Sequence, residues 1–155
     1  MNALEAYADP PCLPATEPLK LARLLDLEVA EHLNEVAFAR RVAAGLPVST
    51  VTALGRLVGR RRIEGRVVSE ATLHRHRRSG TVLSRSHSER VYGLARVLDA
   101  IATAFHGDAA RIDDFLNRPH PLLDGESPLE MATSSAAGAD AVLKLVWRAQ
   151  AGVAV

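Results

Sequence analysis

The sequence predicts an all-α protein, in which an N-terminal helical domain containing a helix-turn-helix is followed by a C-terminal helical domain. Three observations predict it. Of the 155 residues 48% are apolar, and these are dominated by 26 Ala and 21 Leu against three Ile, three Phe, two Tyr and one Trp. Ala and Leu lose least on entering a helix, whereas strands favour β-branched and aromatic side chains. Apolar residues also recur at the three-and-four spacing of a helix face in several segments, which are bounded by capping residues on one side and Gly or Pro on the other.

Residues 1–18 contain Pro10, Pro11, Pro14 and Pro18 and read as a flexible leader. Helical patterns follow from Glu17 to Asp26 and from Val29 to Ala44, the second with Leu33, Val36, Ala37 and the Arg40 to Ala44 stretch on one stripe. Gly45 and Pro47 end it. Val48 to Gly59 is a short helix with Val51, Leu54, Leu57 and Val58 inward, and Arg60 to Arg66 is a polar segment anchored by Ile63 alone. Ser69 sits where its hydroxyl can accept from the amides of the next turn, so it starts a helix that runs to Ser79 and stops at Gly80.

The longest helix spans about Arg85 to His106. Val91, Leu94, Ala95, Leu98, Ile101, Ala102 and Phe105 form its buried stripe, with Ser86 and Glu89 as a capping box. Asp108 caps a short helix ending near Leu116 or Asn117, and the two prolines of Arg118-Pro119-His120-Pro121 force an extended link. Ser127-Pro128-Leu129-Glu130 starts another helix. The last one runs from about Gly138 to Ala151 with Val142, Leu145, Val146 and Ala149 inward. The reading gives about seven helices, arranged as a leader over 1–18, a helix-turn-helix-containing domain over 19–83, and the long helix with a C-terminal domain over 84–155.

Nineteen basic and eighteen acidic residues nearly cancel, so no global field favours nucleic acid or a membrane. The distribution is nevertheless polarised. Residues 60–78 carry seven Arg against Glu64 and Glu70, a charge of +5, while residues 1–43 and 107–155 each carry −3. The basic block coincides with a short helix, a turn and a capped second helix, the layout in which a second helix enters a DNA major groove. Arg60, Arg61, Arg62, Thr72, His74, Arg75, Arg77 and Arg78 are the candidate DNA-binding residues, with Val67, Val68 and Leu73 fastening the helix inward. An Arg-rich helix face is as often merely solvated, and Arg60-Arg61-Arg62 equally suits an acidic protein surface.

A single cysteine, Cys12, excludes an internal disulfide, and no apolar run reaches spanning length, so a cytoplasmic protein without membrane contact is expected. There is no Gly-rich phosphate loop, no Gly-x-Ser-x-Gly elbow and no paired-cysteine metal spacing. His74 and His76 are two apart on a helix and face different ways; His32, His87, His106 and His120 are isolated; Asp113-Asp114 reads as the polar face of a short helix. No catalytic residue, metal site or cofactor is expected. Trp147 on the final helix is either a core residue or, if exposed, the anchor of a docking surface.

Two stretches carry a resemblance to a known family: the Ser88-Glu89-Arg90-Val91-Tyr92-Gly93-Leu94-Ala95-Arg96-Val97 run, and Phe115 to Ala132 with its Pro121-Leu122-Leu123-Asp124-Gly125-Glu126-Ser127-Pro128-Leu129 core. Together with Gly138, Val142, Leu145 and Gly152, they make residues 40–155 similar to the Xre/MbcA/ParS antitoxins of type II toxin-antitoxin systems, partners of RES-domain toxins. The resemblance implies that residues 45–80 bind operator DNA of the chain's own operon and that the C-terminal part blocks the toxin. Toxins of that group resemble ADP-ribosyltransferases and deplete NAD. In the family the C-terminal end lies at the toxin cleft, which here implies Lys144, Trp147, Arg148, Gln150, Gly152, Val153 and Val155 as toxin-binding residues. Self-association, at least on DNA or with the toxin, is expected because a helical DNA reader spans two half-sites as a dimer. The alternative from another class is a stand-alone helix-turn-helix regulator without a toxin.

Overall fold

The computed structural model describes residues 16–28 and 33–152, so the greater part of the leader, Cys12, His32, Val153 and Val155 lie outside the described residues. The described residues form nine α-helices and no strand. These are α1 (Glu17–Leu24), α2 (Glu35–Ala44), α3 (Ser49–Val58), α4 (Arg60–Ile63), α5 (Glu70–Ser79), α6 (Arg85–Ala104), α7 (Ala109–Asn117), α8 (Pro128–Ser134) and α9 (Ala136–Gln150). A 3₁₀ turn at Pro121–Leu123 links α7 to α8.

α6 is the axis of the molecule. Val91, Leu94, Ala95, Val97, Leu98, Ile101 and Ala102 are all buried, and α1, α2, α3, α8 and α9 pack against it. The buried side chains of all these helices belong to one contiguous core. Before α6 starts, the chain is clasped to it: Leu83 N donates to Leu46 O at 2.8 Å, and Leu46 N donates to the buried Ser88 Oγ at 2.9 Å. This joins the α2–α3 turn to the first turn of α6.

Two glycines let α9 approach its neighbours. A Cβ on Gly93 of α6 would stand 2.9 Å from the Ala139 Cβ of α9, and one on Gly138 would stand 2.1 Å from the Met131 carbonyl oxygen of α8. α9 therefore lies in a seat that only small residues permit.

Several expected details shift. α2 begins at Glu35, because Asn34 accepts from Ala37 N at 2.8 Å and caps it. Its inward face carries Phe38 and Val42, while Val36 is 61% exposed and Ala37 is also exposed; Phe38 meets Tyr92 of α6 edge-on at 5.6 Å, which fixes that face. The cap of α6 is Ser84, whose Oγ accepts from His87 N at 3.2 Å, and Glu89 pairs instead with Arg85 at 2.9 Å. α9 starts two residues before Gly138, because Ser135 accepts from Gly138 N at 3.0 Å. Its buried stripe includes Leu143 and ends at Val146; Ala149 is exposed, since the helix outruns the core there. The short helix α4 turns the polar 60–66 segment around the fully buried Ile63.

Candidate functional site

α5 forms where Ser69 accepts from Thr72 N at 3.2 Å and Gly80 ends the helix in a left-handed conformation. Leu73 is its one buried residue, and with Val67 and Val68 it anchors the helix while the rest of its surface faces outward. Thr72 is engaged by Ser69, which donates from Oγ to Thr72 Oγ1 at 2.8 Å. At the other end Ser79 Oγ donates to Arg75 O at 2.9 Å, and His76 Nδ1 lies 2.7 Å from Thr81 Oγ1. Both ends of α5 are thus closed by side-chain hydrogen bonds.

The arginines of the basic block divide into two kinds. Arg60 donates from Nε to Glu64 Oε2 at 2.8 Å, and Arg77 donates from Nη2 to Glu64 Oε1 at 2.9 Å and to Thr52 Oγ1 at 3.3 Å. Burial raises the pKa of Glu64, but the hydrogen bonds from these two guanidiniums outweigh it and hold the carboxyl below its ordinary range. Arg62 pairs with Asp113 of α7, and Arg66 lies 3.6 Å from Glu130 at the start of α8. Arg61, His74, Arg75 and Arg78 are exposed, and their side chains have no ion pair or hydrogen bond among the described residues. Arg60, Arg61, His74 and Arg77 line one groove of about 670 Å³ between α4 and α5. Charge counting along the chain could not separate the anchored arginines from the free ones, because the acids that anchor Arg62 and Arg66 are distant in sequence.

The second candidate surface is the outer face of α9. Lys144, Trp147, Arg148 and Gln150 are exposed on it, Trp147 by 50%, and Gly152 follows in the exposed turn. Trp147, Leu143 and Gln150 edge a groove of about 310 Å³ whose other walls are Glu17 and Lys20 of α1 and Arg96, Asp99, Ala100 and Thr103 of α6. The participation of α1 was not visible from the sequence. Arg96 holds the three helices in register: its Nη1 donates to Asp140 Oδ1 of α9 at 3.1 Å, its Nε lies 3.9 Å from Glu17 of α1, and its guanidinium sits 5.7 Å from the Tyr92 ring centre. Lys144 and Arg148 have no acidic partner among the described residues, so the outer side of α9 is aromatic and cationic, while Glu17 and Asp99 put acids on the adjoining groove wall.

Between the two surfaces lies the link whose sequence is most distinctive. His120 Nδ1 accepts from Leu122 N at 3.2 Å, Gly125 N donates to His120 O at 3.1 Å, and His120 N donates to Glu126 O at 3.0 Å. Asp124 and Gly125 take positive φ of 54° and 82°, which folds the chain back and buries Leu123. Ser127 then accepts from Glu130 N at 3.3 Å while Glu130 Oε2 accepts from Ser127 N at 3.1 Å, a complete capping box behind Pro128. Within the Pro-Leu-Leu-Asp-Gly-x-x-Pro-Leu pattern, Leu123, Asp124, Gly125, Ser127 and Pro128 thus set the path into α8, while the side chain of Leu122 is exposed.

No helix among the described residues is long and apolar enough to cross a membrane, and no group of His, Cys, Asp and Glu among them is placed to hold a metal ion. A comparison with curated proteins yields no match. Residues 101–152 match the family described as the antitoxin Xre/MbcA/ParS C-terminal toxin-binding domain, a span that runs from the last turn of α6 through the whole of α9 and so contains the aromatic, cationic face. Over these 52 of its 155 residues the chain is similar to the toxin-binding domain of the Xre/MbcA/ParS antitoxins.

Proposed function

We propose that the chain neutralises a RES-type, NAD-depleting toxin by seating the outer face of α9 in the toxin's active-site cleft, and that it acts by occlusion without chemistry of its own. The observation that carries this reading is the half-exposed Trp147 between Lys144 and Arg148, on the last helix of the toxin-binding domain. A large aromatic left in water is a cost to the free protein and a typical anchor in a complex, and Arg offers a planar fork for carboxylates at the partner's cleft. Gln150 and the exposed Gly152 continue the same edge, and Val153 and Val155, which lie outside the described residues, are included in the proposed contact on the resemblance alone. The test is co-expression with the toxin encoded in the neighbouring reading frame. Trp147→Ala, or removal of residues 152–155, should restore NAD loss and growth arrest; complete neutralisation by both variants overturns the reading.

The same chain is proposed to repress its own operon through the basic block. The outer face of α5, where the side chains of His74, Arg75 and Arg78 have no protein partner among the described residues, supports this, since phosphate contact needs cations that are not already spent. One α5 reads one half-site, so the operator-bound form is proposed to contain two copies. Retention of the purified chain on a duplex from its own upstream region, falling steeply with salt, is the expected result; retention independent of salt contradicts it.

A further inference from the structure

Two arginines of the basic block are tied to the toxin-binding domain. Arg62 Nη1 donates to Asp113 Oδ1 on α7, and Arg66 Nη1 stands 3.6 Å from Glu130 Oε1 on α8. The side chains are 42% and 61% exposed in the first pair and 46% and 48% in the second, so a competing anion can reach either guanidinium. Resting on the proposal that the basic block meets DNA, we propose that its nucleic-acid surface has a reserve: Arg61, His74, Arg75 and Arg78 take backbone phosphates directly, and Arg62 and Arg66 exchange Asp113 and Glu130 for phosphate oxygens as the duplex docks.

The chemistry favours the exchange. A guanidinium fork fits a phosphate as it fits a carboxylate, and each phosphate neutralised releases condensed counterions, a gain that the internal pairs do not offer. Exposed ion pairs contribute little, so breaking them costs little. Asp113 and Glu130 remain as negative charges facing the docked backbone, however, and so weaken binding. Both belong to residues 101–152. The toxin-binding domain therefore sets the strength of the DNA surface, and the acids that surround Arg62 and Arg66 act as its built-in competitor.

The experiment uses the full chain and a labelled duplex of about 30 base pairs, long enough for two half-sites one helical turn apart. Asp113→Asn keeps the oxygen that accepts from Asn117 Nδ2 at 3.2 Å, and Glu130→Gln keeps the capping-box geometry, so the double variant should fold. Its Kd at low salt should fall roughly threefold to tenfold below that of the parent chain, the size expected of two exposed pairs. That gain should vanish when Arg62→Ala and Arg66→Ala are already present. An equal gain in both backgrounds would show a long-range charge effect and overturn the exchange. No gain, with parent binding that still depends on Arg75 and Arg78, overturns the exchange and leaves the DNA reading standing. No salt-dependent duplex binding by the parent or the double variant overturns both.

Discussion

Arg77 reaches from α5 to Glu64 just after α4, its Nη2 donating to Oε1 at 2.9 Å, while Arg60 takes the other carboxylate oxygen at 2.8 Å. The basic block thus carries an internal ion pair that fastens α5 to the preceding turn, and only part of its charge faces outward. Because the Glu64 carboxyl titrates below its ordinary value of 4.5, its folded pKa is lower than its unfolded one. Its stabilisation is present above the unfolded value and is lost as pH falls through the folded value. Glu64→Gln should therefore be less stable than the parent chain near pH 7, with the gap closing below about pH 4. Urea unfolding across that range checks this, and a gap that stays constant refutes it.

The Cβ that Gly138 lacks would meet the Met131 carbonyl oxygen at 2.1 Å, a contact that backbone cannot relieve by a rotamer change. Gly138→Ala should destabilise by roughly 1–3 kcal/mol, the usual cost of forcing extra volume into a packed site. Gly93→Ala meets the Ala139 Cβ at 2.9 Å and should cost less. Denaturant midpoints of the two variants give the order.

The side chains of Arg75 and Arg78 have no ion pair or hydrogen bond among the described residues. Replacing both by Ala should leave the thermal midpoint nearly unchanged while lowering the slope of log K against log salt by about two, since each phosphate contact contributes ~0.9. Binding titrations at several salt concentrations measure it. An unaltered slope would remove both residues from the DNA surface.

Lys144 and Arg148 flank Trp147 without acidic partners among the described residues. Reversing both to Glu should slow association with the toxin and invert its response to salt, leaving helix content intact, because rim charges act mainly on the on-rate. Stopped-flow or surface-based kinetics resolve the two rate constants. Unchanged association would place the toxin contact elsewhere on the domain.

Ser127 closes the capping box of α8. Ser127→Ala should cost about 1 kcal/mol of unfolding free energy, the typical value for a lost helix cap. Because the motif also sets the path into α8, toxin affinity should fall with it. Calorimetry of the variant gives the first quantity and titration with the toxin the second.

Much of this architecture is legible in the residues themselves. Ser69, Asp108 and Ser127 announce their helices because a capping hydroxyl or carboxylate and its target amide are within three positions of each other, and the α6 stripe from Val91 to Ala102 repeats long enough to be unambiguous. The sequence pattern predicts the wrong face of α2, because Val36 and Ala37 look as apolar as Phe38 and the Tyr92 ring that Phe38 meets is fifty-four residues away. Ala149 continues the apolar spacing of α9 yet is exposed, because periodicity does not say where a core ends. The candidate surfaces were less readable than the fold. The tally of seven arginines in 60–78 is correct, yet Asp113 and Glu130, which engage Arg62 and Arg66, enter only through tertiary contact. The contribution of Glu17 and Lys20 to the Trp147 groove likewise exists only once α1 lies beside α9.

Trp147 is the one tryptophan in the chain, and half of its surface meets water. Its emission is consequently a label supplied by the sequence itself: light from the indole reports the polarity at one spot on α9 and nowhere else on this polypeptide. Titrating in a toxin that lacks tryptophan should move that emission to shorter wavelength, so the occupancy of the face is readable without attaching a dye.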